Sequence, residues 1–212
     1  MRISYTFALL VSLIASPALA QQAPSSWSKL ADDQSFAAMM QSGFRDAGIV
    51  KADRLKQDET QAFCSNPAYA DSKEAAAQRA KIEAANMASV KFPSDGVWLG
   101  DFKEGEKIAQ SGRGLTFSDA ANVVNGGNCY NCHQIDKAEI SHGTIGPSLY
   151  NYGKNLGMSE ETLKNTWAKI YNSKSLNACS NMPRAGHMGI LNETQIKHLM
   201  ALLLDPKSPV NQ

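Results

Sequence analysis

Cys129-Tyr130-Asn131-Cys132-His133 is the stretch on which the reading of this chain turns. Two thiols three positions apart on one turn of backbone can add to the two vinyl groups along a haem edge, and the next residue then offers its imidazole to the iron. With 4 Cys and 4 His in 212 residues, such a pentapeptide arises by chance on the order of once in a thousand chains. Cys129 and Cys132 are therefore expected to carry one covalent haem c, with His133 as its proximal iron ligand. Two other chemistries use a Cys-x-x-Cys pair. A redox disulfide of the thioredoxin kind sits between a strand and a helix, and Val123-Val124-Asn125-Gly126-Gly127 is poor strand context. A zinc site wants four ligands, and no second Cys-x-x-Cys or His pair accompanies this one.

An iron held by His133 needs a sixth ligand, for which Met158, Met182, Met188, Met200, His142, His187 and His198 are candidates. Met200 falls on the apolar stripe of the last helix and reads as packing, while His198 on the same helix faces elsewhere and reads as solvated. Met182 lies in Asn-Met-Pro-Arg, where Pro183 holds its predecessor extended and able to project from a loop. It is the preferred ligand, with Met188 and His187 as rivals. His/Met ligation raises the reduction potential and leaves no open position, which suits electron transfer. The carbonyl of Pro147 is placed to accept the Nδ1 proton of His133. Tyr150, Tyr152 and Trp167 could bond the haem propionates or simply pack around a large apolar group.

Around this centre the pattern is helical. Phe102, Gly105, Ile108 and Ala109 share one side of a helix over 101–111, and Leu163, Trp167, Ile170 and Tyr171 one side of another over 159–172. The last helix starts at Asn192 with capping-box spacing and turns Ile196, Leu199, Met200 and Leu203 inward. Three more helices are expected earlier: a core-facing stripe of Phe36, Met39, Met40, Gly43, Phe44 and Ala47, a charged helix over 51–63, and an Ala-rich one over 73–90 whose thin apolar face needs a neighbour. No run of alternating β-branched residues rivals these, so the chain is expected to be mainly α. Phe92-Pro93-Ser94-Asp95-Gly96 is a turn cluster. It divides a helical extension over 21–97 from a haem domain over 98–212.

The first twenty residues read as a secretory signal peptide. Met1-Arg2 is followed by an apolar stretch from Tyr5 to Ala15, and Ala18-Leu19-Ala20 offers the small residues a peptidase inspects, with cleavage after Ala20. The apolar run is too short for a membrane anchor, and no later segment is long enough to span a bilayer. The Gln, Ala, Pro and Ser residues over 21–27 read as a mobile leader. A periplasmic, oxidising location follows, and there the two remaining cysteines, Cys64 and Cys179, are expected to form a disulfide.

Composition narrows the partners. The chain is 43% apolar and 19% charged, ordinary for a globular protein, and 21 basic against 20 acidic residues leave no surplus with which to hold nucleic acid. Lys154, Lys164, Lys169, Lys174 and Arg184 outnumber Glu160 and Glu161 between Tyr150 and Ile190, a surplus read as a solvated face.

The half of the chain from Gly100 to Asn211 resembles SoxX, the haem subunit of SoxAX cytochromes. The likeness is carried by Gly112-Arg-Gly-Leu115, Gly126-Gly-Asn-Cys-Tyr-Asn-Cys-His133, Gly143-Thr-Ile-Gly-Pro-Ser-Leu149, Tyr152-Gly-Lys154, Lys169-Ile-Tyr-Asn172, Met182-Pro-Arg184 and Ala201-Leu-Leu-Leu-Asp-Pro-Lys-Ser-Pro-Val-Asn211. It implies a class I-like c-type cytochrome domain, thioethers at Cys129 and Cys132, and axial ligation by His133 and Met182. It also implies a heterodimer with a SoxA-like haem subunit, within a complex that oxidatively couples thiosulfate to a cysteine of the carrier SoxYZ. In such an L-cysteine S-thiosulfotransferase this chain would be the non-catalytic relay, taking electrons from the SoxA haem and passing them to a further cytochrome. A free-standing periplasmic shuttle is the alternative. The chain departs from the family at Ala185, where a bulkier aromatic follows Met-Pro-Arg, and in its long N-terminal extension.

Overall fold

A computed structural model describes residues 34–66 and 73–212. Among them are seven α-helices and no strand; an isolated β-bridge joins Ala47 to Val50. The signal peptide over 1–20 and the leader over 21–27 lie outside the described residues. The chain divides into two compact units, Met1–Arg45 and Asp46–Gln212. In the first, α1 (Gln34–Gly43) buries none of its residues. Its stripe was expected to be core, but a ten-residue helix cannot cover one face by itself, and the stripe's continuation to Ala47 is not helical.

The second unit is built around two crossing helices, α4 (Phe102–Gln110) and α7 (Glu193–Leu204). Both begin on their own sequence signals. Asp101 accepts from the amides of Lys103 and Glu104 to cap α4, and Asn192 with Gln195 forms a reciprocal capping box on α7. They meet at Gly105, where a Cβ would stand 2.2 Å from the His198 carbonyl oxygen and 2.9 Å from Leu202 Cβ. Only a glycine allows the two backbones so close. Ile196, Leu199, Met200 and Leu203 are buried as their spacing requires, together with Leu202 and Leu204. α6 (Glu160–Tyr171), capped by Ser159, buries Trp167 and Ile170 against the same core. A short α5 (Tyr152–Leu156) precedes it.

The boundary expected between 97 and 98 falls inside this unit. The helix expected over 51–63 is broken into a 3-10 turn (Ala52–Leu55) and α2 (Glu59–Ser65). Asp58 explains the break: it forms a capping box with Gln61 and so starts a new helix in mid-pattern. α3 (Lys73–Ala88) buries Ala75 and Ile82 and finds its neighbour in the segment after α6. Asn172 Nδ2 donates to Asn86 Oδ1 at 2.9 Å and to Ser89 Oγ at 3.0 Å, and the Ala178 amide donates to Glu83 Oε1 at 3.0 Å. Farther along, the Trp167 indole donates to the Lys91 carbonyl at 2.9 Å, and Trp98 stands edge-on to it with ring centroids 5.9 Å apart. A disulfide joins Cys64 at the end of α2 to Cys179, 115 positions later.

Candidate functional site

The Cys129–His133 segment is a single 3-10 turn (Cys129–Asn131) laid against α4. Its approach is a backbone lattice. The amides of Gly127, Asn128 and Gly126 donate to the carbonyls of Ile108, Ser111 and Arg113, the first an acceptor that the last turn of α4 leaves open and the other two just past the helix. Gly126 is required there, because a Cβ would lie 1.9 Å from the Ser111 oxygen. Asn128 takes the left-handed conformation, φ +51°, that Asn tolerates better than most residues. Tyr130 then pins the turn. Its hydroxyl donates to Glu106 Oε1 at 2.8 Å and accepts the Asp136 amide at 3.0 Å. Burial raises the Glu106 carboxyl above the usual range, and its Oε2 is buried without a partner.

The loop over 143–149 closes the other side. Gly143 donates to the Tyr130 carbonyl, Gly146 to Cys132 and Leu149 to Gln134, at 2.7 to 2.8 Å. Gly146 lies flat on the His133 ring, where a Cβ would stand 2.2 Å from Cε1. The ring is fixed at its other edge by the Pro147 carbonyl, 2.7 Å from Nδ1. A carbonyl only accepts, so Nδ1 carries the proton and donates it. Neutral His133 is then left with its lone pair on Nε2, the tautomer a metal-bound histidine uses.

Cys129 and Cys132 are both free thiols, not joined to each other. Burial pushes the Cys129 thiol up to about 12. That is the opposite of the lowered value of a Cys-x-x-Cys redox pair, so the environment does not prepare Cys129 for disulfide exchange. Among the described residues no group of three or more His, Cys, Asp or Glu could hold a metal ion. Large apolar side chains stand open on the neighbouring loops, with Ile140 91% and Ile145 80% exposed, and Phe117 and Val124 exposed as well.

The structure thus brings together Cys129, Cys132, His133 and Pro147. Met182 lies on a separate loop, half-buried and packed on the same core as Cys129. Its carbonyl accepts from Ser173 Oγ at 2.5 Å and its amide donates to Ser180 Oγ at 3.2 Å. Of its rivals, Met158 and Met188 are exposed and Met200 is fully buried in α7. The rings of His142 and His187 sit 3.3 Å from the Gly143 carbonyl and Ser89 Oγ. His198, expected to be solvated, accepts the Asp101 amide at 2.8 Å through Nδ1, because the close crossing at Gly105 draws it onto the start of α4.

The three aromatics expected around the haem, Tyr150, Tyr152 and Trp167, each make a hydrogen bond within the chain. Tyr150 donates to the Gln212 carbonyl at 2.7 Å, and Trp167 donates its one N–H to Lys91. Tyr152 donates to Thr166 Oγ1 at 3.0 Å, since the Thr166 hydroxyl proton is already directed to Thr162 at 2.7 Å. Each aromatic has an acceptor within the fold. Sequence reasoning missed Tyr130, Glu106 and Gly146. The glycine at 146, directly before the histidine-bonding proline, was the available signal.

No protein-family model matches the chain. It is 36% identical over 159 residues to an uncharacterized lipoprotein of Aquifex aeolicus (strain VF5), covering 74% of this chain and 73% of that protein. The chain belongs to the family of that lipoprotein.

Proposed function

We propose that this chain is an exported monohaem c-type cytochrome with a class I-like haem domain, and that it serves as the electron relay of a SoxAX-type complex. One observation carries the proposal: the 2.7 Å contact between His133 Nδ1 and the Pro147 carbonyl, which sets the histidine tautomer beside two free thiols. Cys129, Cys132, His133 and Met182 would hold haem c, which would supply one-electron redox chemistry. The chain's own residues do the rest. Gly146 and Pro147 hold the ring, Tyr130 and the glycines at 126 and 127 hold the cysteine turn, and Ser173 and Ser180 hold the backbone of Met182. The exposed Ile140, Ile145, Phe117 and Val124 are groups that a large apolar ligand would cover.

Export to the periplasm, with cleavage after Ala20, is supported by the signal-like leader, the Cys64–Cys179 disulfide and the lipoprotein relative. The SoxA-like partner, the SoxYZ carrier and the acceptor cytochrome rest on the sequence resemblance. Intact-mass analysis of exported material, with haem staining after denaturation, tests the proposal. We expect one covalent haem per chain and stable co-purification with a second haem protein. A bare polypeptide mass refutes the cytochrome, and a solitary haem chain reduces it to a free shuttle.

A further inference from the structure

A polar cleft of about 530 Å³ opens between α2 and the loop over 174–184. Among the described residues, the charged ones lining it are Lys174 and Arg184, both cations, with no carboxylate in the lining. Lys174 was expected on a solvated face. Instead it is only 8% exposed, because α3 and the disulfide draw its segment into the fold. Its ammonium donates to the Ala178 carbonyl at 3.2 Å and, among the described residues, forms no ion pair. An ammonium has three donors, so two are left for the cleft. The Arg184 guanidinium pairs through Nη2 with Asp58 Oδ2 at 2.5 Å, and that bond engages one of its five donors.

The neutral lining is turned the same way. Gln61 Oε1 already accepts the Asp58 amide at 2.8 Å, which leaves its NH₂ to face outward. Ser180 Oγ accepts the Met182 amide, which leaves its hydroxyl proton. Asn181 stands exposed at the rim. Two cations side by side, one of them nearly buried, cost free energy, and the single carboxylate of Asp58 beside Arg184 offsets one positive charge of the two. Burial and the nearby guanidinium both push the Lys174 ammonium below its ordinary range, the first more than the second, with Asp58 acting against them.

We propose that this cleft binds a small doubly charged oxoanion, with sulfate as its simplest form, gripped by Lys174 and Arg184 and by the neutral donors of Gln61, Ser180 and Asn181. Four acceptor oxygens on a compact dianion match a concavity whose described lining offers two cations and neutral donors, with Asp58 engaging Arg184 from one side. The inference does not depend on haem. Met182 lines the same cleft, so an ion held there would sit beside the loop that carries it.

Isothermal titration of the purified full-length exported protein at low ionic strength tests this, using sodium sulfate, thiosulfate and phosphate, with chloride as the control and acetate as the carboxylate arm. We expect one saturable site for at least one dianion, at least tenfold tighter than chloride or acetate. The dianion that binds best identifies the source. Lys174→Gln weakens that binding at least tenfold. Asn181→Asp, an exposed change that sets a carboxylate at the rim, does the same without altering the melting temperature, and it decides the matter if Lys174→Gln does not fold. Heats no larger than those of chloride, or equal affinity in the folded variants, overturn the proposal.

Discussion

Replacing both Cys64 and Cys179 by serine removes the longest covalent constraint in the described fold. The bridge closes a loop across 115 positions, and loop-closure entropy for that length is about 5 kcal/mol at 25 °C. For the unit Asp46–Gln212, roughly 170 residues long, the unfolding entropy is about 0.35 kcal/mol per kelvin, so the melting temperature should fall by about 14 °C. The loss acts on the unfolded chain, so the urea m-value should rise as the uncrosslinked chain expands. Calorimetry and urea titration of the two proteins check both expectations. A fall of less than about 3 °C with an unchanged m-value would refute the reasoning, because the loop over 174–184 would then be held by its noncovalent contacts alone.

Gly105→Ala should cost about 2 to 3 kcal/mol in urea unfolding, because its Cβ would meet the His198 carbonyl and not a movable side-chain tip. Asn192→Ala breaks the capping box of α7 and should cost about 1 kcal/mol by the same assay. Glu106 has a raised carboxyl pKa, so the folded state binds its proton more tightly and loses stability as pH rises through and above the ordinary value of 4.5. Glu106→Gln should therefore gain on the parent as pH rises from 4 to 7, and a pH-independent difference would contradict the burial argument. If the chain is the proposed cytochrome, Met182→Ala should keep the covalent haem and lower its midpoint potential in a spectroelectrochemical titration. An unchanged potential rejects Met182 as the ligand.

What could be read in advance was what sits close in sequence. Asn192 caps the helix it precedes as its spacing indicates, and the stripes of α4, α6 and α7 face inward as theirs require. The bond from His133 to Pro147 spans only 14 positions within two adjoining loops. The break at Asp58 was also local, but a charged periodic pattern hid it until the capping box formed. What could not be read was competition at a distance. Tyr150 and Trp167 had free polar tips on paper, and which acceptor each meets depends on Gln212 and Lys91 arriving from elsewhere. The burial of Lys174 was invisible for the same reason, since α3 and the disulfide approach it from about a hundred residues away.

The two halves of the candidate site are consequently held by different physics. His133 is fixed by its own neighbourhood: a glycine under the ring, a carbonyl at Nδ1 and amides of the next loop bonded to the turn that carries it. Met182 rides on a loop whose anchors come mostly from the N-terminal segment. Cys64, Asp58 and Glu83 hold Cys179, Arg184 and Ala178 by a covalent bond, an ion pair and a carboxylate–amide bond. Loss of those anchors should loosen Met182 while leaving His133 in place. In the disulfide variant of the proposed cytochrome, any change in iron coordination should then be loss of the methionine alone. A simultaneous loss of both ligands would mean that the cysteine turn, too, depends on the segment over 46–90, against the independence that its hydrogen bonds describe.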